Sequence, residues 1–174
     1  MMVFDPSEFE GFVMRYQDMA YTTAARLLGP GPDAEDMSQE AFLRAFERFD
    51  ALRESPGAGA WLRTVVTNLS LNHLSRHRSR WKLFSELSDE DSAGIEERTA
   101  SPDPEVQGLQ ETGQDLQEAL LRLPDSQRIP LVLFHFEDMS YEEISRKLGV
   151  SLGKVKTCIF RARRALKTFL EVER

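Results

Sequence analysis

A single cysteine, Cys158, among 174 residues leaves no partner for an intramolecular disulfide or a cysteine-based metal site, which agrees with a reducing compartment. Long apolar runs are lacking too. The densest, Ile129 to Phe136, is interrupted by Pro130 and His135 and falls far short of the ~20 residues of a membrane span. From Met1 to Pro6 no basic segment leads into an apolar one, so no export signal is expected and the chain should stay in the cytosol. His73, His77 and His135 have no metal-ligand spacing, and neither a glycine-rich phosphate loop nor a nucleophile-base arrangement is present. An enzyme is therefore not expected, nor a metal or other cofactor.

What is present is charge in blocks. The net charge of −7 looks wrong for a nucleic-acid binder until it is resolved along the chain. Residues 61–82 hold 5 basic side chains, two histidines and no acid, and residues 83–118 hold 11 acidic side chains against one basic. Residues 141–174 return to 9 basic against 4 acidic. Binding to a polyanion follows the local field rather than the total, so the two basic blocks keep such a partner open.

Apolar residues at three- and four-residue steps from Phe9 to Leu28 predict an amphipathic helix that stops at Gly29-Pro30-Gly31-Pro32. Asp33 is the expected N-cap of a second helix, with Met37, Ala41, Ala45, Phe46 and Phe49 as its stripe. A turn is expected over 55–59. From Ala60 a third helix should place Trp61, Leu62, Val65, Val66 and Leu69 inside and Asn68, Asn72, Ser75 and Arg76 outside. Between Leu83 and about Gln114 the periodicity fails, and so few apolar groups cannot offset the entropy of ordering. The expected fold is all-α, in two small helical domains at 1–82 and 115–174, joined by a flexible acidic linker at 83–114.

Beyond the linker, Leu116 to Leu123 form a stripe ended by Pro124, and Asp125 can cap a helix through Phe136, with Pro130 making its first turn irregular. Ser140 and Glu143 then have capping-box spacing, Gly149 stands where a left-handed C-cap is wanted, and Ser151 can cap a last helix to about Leu170. This is a helix-turn-helix, whose second helix enters the major groove of duplex DNA. On that helix Leu152, Val155, Ile159, Ala162, Leu166 and Phe169 form the core side. Thr157, Phe160, Arg161 and Arg164 are expected opposite, with Lys156 and Arg163 at the flank. A basic face could simply be solvated, but a large aromatic, Phe160, opposite the core needs a cover such as DNA, a partner or the other domain. Cys158 is expected half-buried, as a small packing residue rather than a redox sensor.

Read together, DAEDMSQEAFLRAF at 33–46, AWLRTVVTNLSLNHLSR at 60–76, LP at 123–124, SYEEISRKLGVS at 140–151 and RAR at 161–163 resemble the bacterial extracytoplasmic-function sigma factors, over both expected domains. The resemblance implies a protein that binds core RNA polymerase and directs it to promoters. Its first domain would recognise and melt the minus-ten element and its second read the minus-thirty-five element. Asp36, Gln39 and Glu40 match positions that dock on the polymerase. Trp61, Asn68, Asn72 and Arg76 match the stretch tied to promoter melting, although Trp61 heads the buried stripe. The loop from Leu52 to Gly59 is the better candidate for gripping a flipped base. An anti-sigma partner is implied by the resemblance alone. Asn72 stands where the family commonly has aspartate, Lys154 where it has threonine and Cys158 where it has arginine. Lys154 thereby adds a phosphate contact. The DNA-binding set expected is Asn68, Asn72, Arg76, Lys154, Lys156, Thr157, Phe160, Arg161 and Arg164. The main rival is a helix-turn-helix repressor or activator that binds its operator without polymerase; a helical adaptor for acidic proteins is a second.

Overall fold

The computed structural model describes residues 4–76 and 113–172. The described residues fall into two compact units, one ending at Arg76 and one reaching Arg174 in the full chain. All regular elements among them are helices. Of the linker expected at 83–114, residues 83–112 lie outside the described residues, as do the basic residues Arg78, Arg80 and Lys82, while 113–114 already belong to a helix.

The first unit holds α1 (Pro6–Leu28), α2 (Pro32–Glu47), the single turn α3 (Phe49–Leu52) and α4 (Ala58–Arg76). Helix α1 starts at Asp5, whose side chain accepts from the Ser7 amide at 2.9 Å; that bond holds the Asp5 carboxyl below its ordinary pKa. It ends at Gly29 (φ 84°), followed by Gly31 (φ 133°), two positions that strain any residue with a Cβ. The Tyr21 hydroxyl accepts from the Gly31 amide at 3.3 Å and ties the turn back to α1.

Helices α1, α2 and α4 pack against one another. Ala20, Ala24, Ala34, Ala41 and Ala45 are all fully buried, and side chains this short let the helices approach closely. Phenylalanines fill the end near the chain start. The Phe4 ring lies edge-on to Phe46 and Phe49 at 5.4 and 4.8 Å, and Phe9 lies edge-on to the same two at 5.0 and 5.1 Å. Helix α4 begins at Ala58, two residues before the expected start. Gly59 sits in its first turn, where a Cβ would come within 2.8 Å of the Tyr16 ring, so its glycine is required by packing rather than by a turn. Asp33 is not the cap of α2: the cap position is Gly31, the helix opens with Pro32, and no side chain caps it. A proline at the first helical position supplies the φ and lacks the N–H, which makes a cap less necessary.

The second unit holds α5 (Gly113–Arg122), α6 (Asp125–His135), α7 (Tyr141–Leu148) and α8 (Leu152–Val172). Helix α8 packs on the other three. Its Val155, Ile159, Ala162 and Leu166 meet a core that includes Leu120, Ile129, Val132, Leu133 and Ile144, all nearly or fully buried. Asp125 does not cap α6 as expected; the cap position is Pro124, with no side-chain bond. Asp125 instead accepts from Arg128 Nη2 at 2.6 Å, and Arg128 Nη1 donates to the Leu123 carbonyl at 3.1 Å. One buried guanidinium thus satisfies both the carboxylate and a carbonyl left open at the end of α5. Pro130 falls in the second turn of α6 rather than the first, and the helix runs through it.

Candidate nucleic-acid and partner-binding surfaces

The capping box at the start of α7 is formed on both sides. Ser140 Oγ accepts from the Glu143 amide at 3.2 Å, and Glu143 Oε2 accepts from the Ser140 amide at 2.8 Å, which lowers the pKa of the Glu143 carboxyl. Gly149 takes the left-handed conformation (φ 66°, ψ 33°) that ends α7. Across the turn Ser145 Oγ donates to the Val150 carbonyl at 2.6 Å, and Ser151 Oγ accepts from the Lys154 amide at 3.2 Å to open α8. Four side-chain bonds therefore frame α7 and the turn that leads from it into α8.

On α8 the cations surround a different set of residues from the one expected. Lys156 and Arg164 are exposed, and Lys154, Phe160 and Arg161 are partly exposed. Thr157, expected on the open strip, is 6% exposed. An angle around the helix axis places Thr157 on the open side, but its neighbours three and four residues away are the longer Lys154, Phe160 and Arg161, and a short side chain sits at the foot of such a group. Arg163, expected at the flank, is 8% exposed and has turned inward. Arg164 lies over the Phe160 ring with its guanidinium carbon 5.9 Å from the centroid, so aromatic and cation form one joint surface. Cys158 is fully buried rather than half-buried; burial raises its thiol pKa, with Lys154 and Arg161 opposing.

In the first unit, α2 and α4 enclose an open groove of about 530 Å³. From α2 it is lined by Asp36, Met37, Gln39, Glu40, Leu43 and Arg44, and from α4 by Leu69, Asn72, His73 and Arg76. Glu40 pairs with Arg44 at 3.4 Å, and His73 Nε2 lies 3.5 Å from Asp33. Leu43 is a large apolar side chain left 62% exposed beside these charges. The structure thus brings Asp36, Gln39 and Glu40 together with Asn72 and Arg76, residues the sequence analysis sorted to different partners. Asn68 is partly buried and is not in the groove. Trp61 is half-buried and packs on the core.

Sequence reasoning missed Leu43, Arg128 and the pairing of His135 with Arg163. The i, i+3 spacing of Asp125 and Arg128 was a usable local signal. Nothing local joins His135 to Arg163, 28 residues apart.

Residues 12–80 match the family described as Sigma-70 region 2, and residues 113–166 match Sigma-70, region 4. The chain is 37% identical over 163 residues to the ECF RNA polymerase sigma factor SigE of Mycolicibacterium smegmatis, covering 93% of this chain and 61% of that protein's length. To the ECF RNA polymerase sigma factor SigW of Bacillus subtilis it is 30% identical over 167 residues, covering 94% of this chain and 89% of the other. Among solved structures it shares its fold, at a TM-score of 0.50 and 24% identity, with the sigma factor RpoE of Bartonella quintana, in a complex with the anti-sigma factor NepR; the match covers 95% of this chain and 98% of that one. Both region matches in order on one chain, and the SigW likeness over nearly the whole of both proteins, lead to one conclusion: the chain belongs to the ECF RNA polymerase sigma factors.

Proposed function

We propose that this chain binds core RNA polymerase and directs it to a specific class of promoters, a regulatory role without a chemical step, carried out in the cytosol. The observation that carries the reading is the pairing, on one chain, of a polar helix-helix groove in the first unit with a side-chain-capped helix-turn-helix bearing a cationic helix in the second. The first surface suits a protein partner and the second duplex DNA. The test is transcription with purified core polymerase: initiation at a subset of promoters should require the added chain. Tight operator binding by the chain alone, with no such requirement, would replace this reading with that of a repressor or activator.

Within that role the region 2 unit, proposed to extend to residue 82, meets polymerase and the minus-ten element, and the unit from about residue 115 meets the minus-thirty-five element. Asp36, Gln39 and Glu40 form the polymerase contact. Asn68, with the loop from Leu52 to Gly59, meets the minus-ten strand, where amides can receive unstacked bases. Asn72 and Arg76 share the groove with the polymerase contact, so their alanine variants should be scored for core affinity as well as promoter opening. Lys154, Lys156, Phe160, Arg161 and Arg164 form the minus-thirty-five surface; Thr157 is too enclosed to lead it. Arg161 is the proposed base reader and Lys154 a phosphate contact. Arg161→Ala should relax base preference at one or two adjacent positions, a contact worth ~1–3 kcal/mol of discrimination, whereas Lys154→Ala should weaken all promoters alike and flatten the salt dependence. Control by an anti-sigma protein is also proposed, on the likeness to the Bartonella quintana sigma factor seen in complex with one.

A further inference from the structure

Arg163 is a charged residue 8% exposed, on the helix that carries the DNA-facing cations. Two residues of α-helix turn the direction of a side chain by about 200°, so Arg163 and Arg161 cannot face the same way. Arg163 faces α6. Its Nε donates to His135 Nε2 at 3.0 Å, and its guanidinium carbon lies 5.5 Å from the centroid of the Phe134 ring. The Phe134 ring in turn stacks on Tyr141, the first residue of α7, at 4.6 Å and 22°. Tyr141 directly follows Ser140, the capping residue that starts the helix-turn-helix.

We infer that Arg163 is a positioning residue for promoter recognition, and that His135 and Phe134 hold it so that the reading half of α8 has one setting against α6 and α7. The argument is chemical. A guanidinium has donors only, so the bond exists only when His135 Nε2 carries its lone pair, that is, with a neutral imidazole protonated at Nδ1. The planar group offers its face to one neighbour and its edge to another at once, which an ammonium cannot do. The contacts run without a gap from Tyr141 through Phe134 and Arg163 to His135, and they join all three helices on which the recognition surface depends. A shift of α8 that broke them would leave a buried charge with fewer partners, so the alternative settings are disfavoured. Arg163 is thereby withdrawn from the cations available to DNA.

The inference rests on the reading of α8 as the DNA-facing helix, and the test separates the two. Holoenzymes carrying His135→Lys, His135→Gln or Arg161→Ala would be run on a library varied at the minus-thirty-five positions. His135 is solvent-exposed, so its variants leave the core untouched. His135→Lys puts a donor and a charge against Arg163; initiation should fall about tenfold, the scale of one hydrogen bond to a charged group, with preference broadened over several positions. His135→Gln restores an acceptor and should stay within about twofold of the parent. Normal behaviour of His135→Lys, or a loss with His135→Gln as large as with His135→Lys, overturns the inference if Arg161→Ala is defective. If Arg161→Ala is normal as well, the DNA reading of α8 itself falls, and the inference with it. Should His135→Lys fail to fold, Arg163→Met takes its place: it keeps an unbranched stem over Phe134 and lacks the donor. A folded Arg163→Met protein with unchanged preference overturns the inference, and broadened preference supports it.

Discussion

The two units solve the same problem, holding four helices together, by different means. The first relies on close approach: five fully buried alanines and a glycine pressed on Tyr16 let α1, α2 and α4 meet, while phenylalanines fill one end. The turn from α1 to α2 is set by glycine and proline backbone, with the Tyr21 hydroxyl bonded to it, and α2 has no side-chain cap. The second relies on side chains at its turns, with Ser140, Glu143, Ser145 and Ser151 each bonded to backbone, around an aliphatic core. The difference suits what each unit presents. A groove between two helices depends on their spacing, which small core residues control, whereas a recognition helix depends on the turn before it, which caps control.

The sharpest way to break this comparison is a deletion in the first core. Leu62 is fully buried in α4, and Leu62→Ala should cost about 2–5 kcal/mol. Hydrogen exchange should show the loss in α1, α2 and α4 and leave α8 protected as before; equal loss in α8 would mean that the two units do not fold independently.

Enlarging a small residue tests the close approach itself. Ala41→Leu, at a position with no exposed surface, should cost about 1–3 kcal/mol by chemical denaturation, and it should also weaken core-polymerase binding because α2 carries the groove wall. A stable variant with normal core affinity would show that the helices have room to spare.

A smaller effect is expected from the capping box. Ser140→Ala should cost about 1 kcal/mol. Because the Glu143 carboxyl is held below its ordinary pKa by bonds from Ser140, that part of the stability is present above the unfolded carboxylate pKa and is lost as pH falls through the lowered value. Ser140→Ala keeps the backbone amide that bonds the carboxylate, so it is the gap between parent and Glu143→Gln that should narrow in acid. A gap constant from pH 7 to pH 3 would remove the charge from the account.

The smallest effect concerns Cys158. Burial raises its pKa, so the native thiol should react slowly with iodoacetamide near pH 8 and quickly in urea. The sign for stability is the opposite of the Glu143 case: the contribution is full below the unfolded thiol pKa and is lost as pH rises toward the folded one. Rapid native alkylation would place the thiol at the surface and reopen a redox role.

How much was legible in the sequence follows the same division. The helix-turn-helix could be read in detail because its determinants lie within three or four residues of one another: Ser140 with Glu143, Gly149 alone, and Ser151 with Lys154. The caps assigned to Asp33 and Asp125 failed because each acid sits beside a proline that opens its helix differently, and each lies near a side-chain nitrogen, His73 Nε2 or Arg128 Nη2. The exposure expected of Thr157 failed because a helical angle gives direction and says nothing of the length of the neighbours.

By itself, then, the sequence determined the helices, the recognition turn and the family, since periodicity, caps and motifs are written in adjacent residues. Only the tertiary structure decided that Asn72 and Arg76 share one groove with Asp36, Gln39 and Glu40, and that Arg163 turns inward from the exposed face of α8 to meet His135. Those pairings join residues some thirty positions apart, and their distance is set by how helices pack, a property that no local pattern carries.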